Sequence, residues 1–144
     1  PGLASFLPVE RAKAIRGNPL PGVFPGGATF LLTTPGETHP ASRIVFWPEW
    51  SRRTWQMGAA ASPPWGTQFC YPVEALKSGS VVLVEAHPPT GAALPMYVQG
   101  PPAQGRVLWF GAQQSHDDTL RDGRQSAKWY ALIHNAMVWL AGRT

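Results

Sequence analysis

The chain has 144 residues, a net charge of +4, a charged fraction of only 14% and an apolar fraction of 44%. That length suits one domain with its own core, and the balance excludes both a disordered tail and a dense nucleic-acid-binding face. The 15 glycines and 16 prolines make up about a fifth of the chain and interleave with strand-like runs, which points to a loop-rich folded domain over residues 1–144.

In chain order, residues 1–16 read as an extended opening with one helical turn, and 17–27 as a loop. A short strand is expected over 28–33, then a turn over 34–37. His39-Pro40 precedes a strand or short helix at 42–46. The segment 47–72 holds Trp47, Trp50, Trp55 and Trp65 with no sustained period, and Pro48, Pro63, Pro64 and Pro72 interrupt it. A short helix fits 48–57, because proline is tolerated in a first helical turn. Strands are expected over 80–85, 94–99 and 106–112. The tight link 100–104 makes the last two antiparallel neighbours. A polar loop, 113–123, leads into a helix over 125–141. Trp129, Leu132, Ile133, Ala136, Met137 and Leu140 form a helical stripe to be laid on the sheet. The fold class is therefore α/β: a small mixed sheet with a C-terminal helix on one face.

Lys and Arg number 12 and are scattered, so no nucleic-acid partner is expected. The single cysteine, Cys70, excludes an internal disulfide and a cysteine metal cluster. It lies between Phe69 and Tyr71 with no glycine-flanked elbow, so an inert thiol is the plain reading. No window of about 18 apolar residues is present to span a membrane, and no signal peptide is visible. The chain opens on Pro1: a processed form, a trimmed piece, or the ordered part of something longer.

Chemistry concentrates in few places. His116, Asp117 and Asp118 follow the last strand, where open α/β sheets bind ligands, and His with carboxylate could serve acid–base work or a metal. The competing reading is that the aspartates cap the helix or its loop while His116 bonds to backbone. His39, His87 and His134 match no metal-ligand spacing. The serines lack a Gly-x-Ser-x-Gly context and the glycine clusters lack phosphate-loop spacing, so no catalytic nucleophile, metal or cofactor is expected. Trp47, Trp50, Trp55 and Trp65 have three readings: a core that compensates for little regular structure, a partner interface, or a sugar platform.

Several stretches, in order, resemble a known family. They are Leu7-Pro8-Val9-Glu10, the 33–40 segment with its His39-Pro40, the 73–85 segment, Gly105-Arg106-Val107-Leu108, and the last helix with Trp129 and Trp139-Leu140-Ala141. Together they resemble the C-terminal part of class I glutamine amidotransferase-like domains, of the type attached to von Willebrand A-like bacterial membrane proteins. The related trehalose-utilisation-like branch often carries Gly-His-Asp after the equivalent strand; Ser115-His116-Asp117 is similar without the glycine. The resemblance implies a flavodoxin-like remnant whose first strands and nucleophile elbow would precede residue 1. It also implies a non-enzymatic structural or interaction module in a membrane-associated assembly of a bacterium, extracytoplasmic or membrane-peripheral. A protein partner is expected and a small-molecule ligand is not. The alternative is a hydrolase or carbohydrate-binding domain using the His116–Asp118 loop.

Overall fold

A computed structural model describes residues 3–11, 29–56, 69–70, 73–88, 90–113 and 123–143. Three helices and three antiparallel sheets are present among them. The central sheet has four strands: β2 (Thr29–Leu32), β5 (Val81–His87), β6 (Leu94–Gln99) and β7 (Leu108–Phe110), in the order β2-β5-β6-β7. Two ribbons flank it. One pairs β1 (Val9–Arg11) with β4 (Val73–Leu76), and the other pairs β3 (Phe69–Cys70) with β8 (Ala112–Gln113). The helices are α1 (Thr34–Thr38), α2 (Pro48–Gln56) and α3 (Gly123–Leu140).

The small α/β fold with a C-terminal helix against one face of the sheet is thus present. Every described ladder is antiparallel, and no parallel, flavodoxin-like pair occurs among the described strands. The link between β6 and β7 is short, built on the 3-10 turn Pro102–Gln104 and Gly105 at φ 82°. A link of that length returns the chain beside itself, whereas a parallel neighbour needs a crossover of a dozen residues or more. Gly100 N–H closes the connection on the Val107 carbonyl at 2.8 Å.

The run expected as one strand over 106–112 is broken at Gly111. Gly111 N–H bonds to the Met96 carbonyl at 2.7 Å, while Ala112–Gln113 leaves to pair with Phe69–Cys70. The Trp109 ring lies where a side chain at 111 would be, 2.1 Å from an ideal Cβ. The break therefore follows from packing and carries no turn signal beyond the glycine itself.

Cross-strand partners sort the core into two clusters. Val82, Val98 and Trp109 are aligned across three strands and pack with Val9, Leu7 and Val73. The next positions, Val84, Tyr97 and Phe110, join the larger cluster with Phe30, Trp55, Leu132 and Trp139.

The segment between β2 and α2 locks the layers together. Thr33 Oγ1 accepts from Gly36 N–H at 3.1 Å, capping α1, and donates to the Val82 carbonyl at 2.6 Å. Pro35 in the first turn suits the helix start. The backbone of Gly36 then rests on β5: an ideal Cβ there would lie 1.8 Å from the Leu83 carbonyl oxygen. The expected turn at 34–37 is one helical turn for this reason, and the 42–46 segment is a 3-10 turn over Pro40–Ser42 followed by bends.

Gly36→Ala puts a methyl into backbone that cannot retreat without breaking the Thr33–Val82 contact. We expect a loss of about 2 kcal/mol or more, seen as a drop of roughly 5–10 °C in Tm by thermal unfolding. An unchanged Tm would show that α1 does not bear on β5.

Candidate functional site

Of the residues singled out by sequence, Trp65, His116, Asp117 and Asp118 lie outside the described residues. Cys70 is placed as backbone in β3, paired with Ala112. The other three tryptophans separate sharply. Trp47 and Trp50 are 60% and 57% exposed, with Phe46 beside them; the Phe46 and Trp47 rings meet edge-on at 5.6 Å. Trp55 is fully buried and belongs to the core. Its place in an interface set is corrected accordingly: its indole N–H donates to the Ser42 carbonyl at 2.8 Å, and its ring fills the space between α2 and the sheet. Ser51, one turn before it, accepts from Ile44 N–H at 2.7 Å. These two polar contacts fix the phase of α2 and leave Trp50 pointing outward.

The last helix also departs from expectation. Leu132 and Trp139 are buried, but Ile133, Met137 and Leu140, all part of the stripe expected to face the sheet, are exposed together with Tyr130. At 100° per residue the buried arc centres roughly a quarter turn away from the centre of that apolar stripe. Polar and aromatic anchors account for the rotation. Asn135 Nδ2 donates to the Arg43 carbonyl, Arg106 donates to the Trp139 carbonyl and sits over its ring at 5.3 Å, and the His39 ring meets Trp139 at 5.0 Å. The helix is docked by these contacts to the link before β7 and to the 39–43 segment, which contains no large apolar stripe to match its own.

Among the described residues, two concavities lie against the rotated helix. One is apolar, about 290 Å³, between the helix and the end of the sheet, lined by Tyr97, Leu108, Phe110, Trp129, Ile133 and Leu140 among others. The second is polar, about 390 Å³, lined by Gln99, Pro102, Gly105, Arg106 and Trp139. Burial holds the Tyr97 phenol well above its ordinary value, so it stays protonated. Its hydroxyl turns to the Ala41 carbonyl at 3.4 Å. The apolar concavity therefore offers little beyond carbon to an occupant.

His39 was missed by sequence reading as anything but a turn residue. Its Nδ1 accepts from Ala41 N–H at 3.1 Å, capping the 3-10 turn. The proton of the neutral ring is then on Nε2, facing the Gln99 side chain. Burial lowers its pKa below the usual 6.5, opposed in part by that hydrogen bond. Sequence holds one trace of this, the His-Pro pair, which a capped turn and an idle loop share. Among the described residues no three His, Cys, Asp or Glu side chains gather as a metal site, and no helix is long and apolar enough to cross a membrane.

A histidine with a depressed folded pKa takes up its proton more readily when unfolded. Its contribution to stability is complete above about pH 6.5 and is lost as pH falls through that value toward the folded pKa. Protonation would also remove the acceptor for Ala41 N–H. His39→Asn keeps a capping acceptor without the titration. We expect the variant's Tm to fall less than the wild type's between pH 7.5 and 5.5; parallel curves would refute the assignment.

Comparison of the chain with protein-family models, curated proteins and solved structures found no match to any of them.

Proposed function

We propose that this chain is a non-enzymatic, amidotransferase-like interaction module, a subunit of a larger membrane-associated assembly, and that it holds a protein partner on the outer face of α3. The observation that carries this reading is the row of Tyr130, Ile133, Met137 and Leu140 left outside the core, with Tyr130 and Met137 65% and 62% exposed. A helix free to choose would bury that row. Held where it is, the row borders the apolar cleft, and a partner side chain seated there would meet Phe110, Trp129 and Leu132. Aromatic and methionine side chains around a desolvated pocket are the usual anchors of such contacts.

Charge supports a particular kind of partner. Residues 123–140 contain no Asp or Glu. Lys128 lies near the start of the row and Arg143 near its end. An apolar segment with acidic groups at both ends complements this face, and a second copy of the same helix does not. The exposed Phe46, Trp47 and Trp50 give the module further apolar surface. The hydrolase or carbohydrate-binding alternative rests on His116, Asp117 and Asp118, and no observation favours it.

A photo-crosslinking residue at position 137, introduced in the native cell, tests the proposal. We expect one protein adduct whose crosslinked segment is apolar and flanked by acidic residues. Ile133→Asp with Met137→Asp should reduce complex formation at least ~10-fold while Tm stays within about 2 °C, since both sites are exposed. Adducts only with lipid, only with a second copy of the chain, or none at all would each refute it.

A further inference from the structure

The polar cavity at the C-terminal end of α3 differs from the docking face in holding aimed hydrogen-bond donors. Because His39 Nδ1 is taken by Ala41 N–H, its Nε2–H is left to donate to the Gln99 side chain. Beyond the His39 ring, the Gln99 side chain has no hydrogen-bond partner among the described residues, and Gln99 lines the cavity. Arg106 forms another part of the wall. One guanidinium nitrogen bonds to the Trp139 carbonyl, and the other N–H groups of its fork have no partner among the described residues. Capping the helix accounts for that single nitrogen and for nothing at Gln99.

We propose that this cavity binds a small carboxylate, held by the outer edge of the Arg106 guanidinium and by the side-chain amide of Gln99. Among the described residues the lining contains donors and no Asp or Glu, which argues against a cation. A sugar would want an open aromatic face, yet Trp139 is covered by Arg106 at 5.3 Å and met by His39 at 5.0 Å. Of the oxyanions, a carboxylate fits better than a phosphate. The planar fork of Arg106 matches a carboxylate edge with two parallel hydrogen bonds. At about 390 Å³ the space lies at the lower end of small-ligand sites.

Nuclear magnetic resonance on the full chain tests this. The Gln99 side-chain amide, the Arg106 Nε–H and the Trp139 indole N–H are followed during titration with succinate, inorganic phosphate and glucose. Succinate should shift all three saturably in the low-millimolar range, phosphate more weakly, and glucose not at all. Gln99→Glu keeps an acceptor for His39 but places a carboxylate in the cavity, so succinate binding should vanish with the rest of the spectrum preserved. Arg106→Lys keeps the charge without the fork and should weaken binding ~10-fold. If that variant unfolds, Gln99→Glu decides alone. The proposal fails if the wild type shows no saturable shift, if Gln99→Glu binds succinate as the wild type does, or if phosphate or glucose saturates at lower concentration than succinate.

Discussion

The contact on which the rest of this molecule depends is the approach of the Gly36 backbone to the Leu83 carbonyl. It brings the 33–44 segment down onto the middle of the sheet, where a side chain of any size would hold it away. From that seat the segment reaches in every direction. Thr33 bonds to β5, Ser42 receives the Trp55 indole N–H, Ala41 meets the Tyr97 hydroxyl, and Arg43 takes the Asn135 amide. The segment is one short helix, α1, and one 3-10 turn. It orders three layers because the Thr33 hydroxyl and the carbonyls of Ala41, Ser42 and Arg43 reach other elements while several of its other carbonyls are bonded within the segment, and buried polar groups left unpaired would be costly.

One consequence is that α3 is placed by its polar and aromatic contacts more than by its apolar stripe. Asn135 and Trp139 hold the helix to a segment whose side chains are small or polar, and the richest part of the stripe is left facing outward. Rotating the helix by a quarter turn would bury Ile133 and Met137 but would turn Leu132 and Trp139 outward and break the bonds to Arg43 and Arg106. Each such bond is worth on the order of 1 kcal/mol, more where a charged donor takes part. Burial of an apolar side chain is worth about 1.5–3 kcal/mol. The two orientations are thus close enough in energy for side-chain detail to decide, and the exposed row is what that decision leaves behind.

Sequence periodicity located the central strands well. β6 lies over Leu94–Gln99 as the pattern demanded, and β5 extends two residues past its expected end because Ala86 and His87 still pair with Phe30 and Thr29. It located α3 to within two residues. It could not show which arc of α3 is buried, since hydrophobic spacing records how much apolar surface a helix carries and not what it meets. The β1–β4 ribbon escaped for a related reason. Val9–Arg11 and Val73–Leu76 are too short to show alternation alone, and their pairing joins residues more than 60 positions apart. Trp55 and Trp50 look alike in sequence; only the bonds of Trp55 to Ser42 and of Ser51, in the same helix, to Ile44 separate core from surface. The polar cavity was illegible because Gln99, Arg106 and Trp139 come from three separate stretches, each with an innocent local explanation.

The docking face and the polar cavity lie on different sides of one helix. At 100° per residue, Trp139 stands roughly 160° round the axis from Met137, so a partner along the outer row leaves the cavity open. What the two sites share is the end of the helix. Arg106 holds the Trp139 carbonyl while its outer edge faces the cavity, so a carboxylate there would order the same guanidinium that fixes the last turn. The helix end would be firmer with the cavity occupied, and Leu140, which lines the apolar cleft one residue away, would be held with it. A ligand that affects the partner only by ordering a last turn has a small differential effect on the two states, because helix ends fray at low cost. The physical expectation is therefore two sites that can be filled together, with weak positive coupling carried by the Arg106–Trp139 contact.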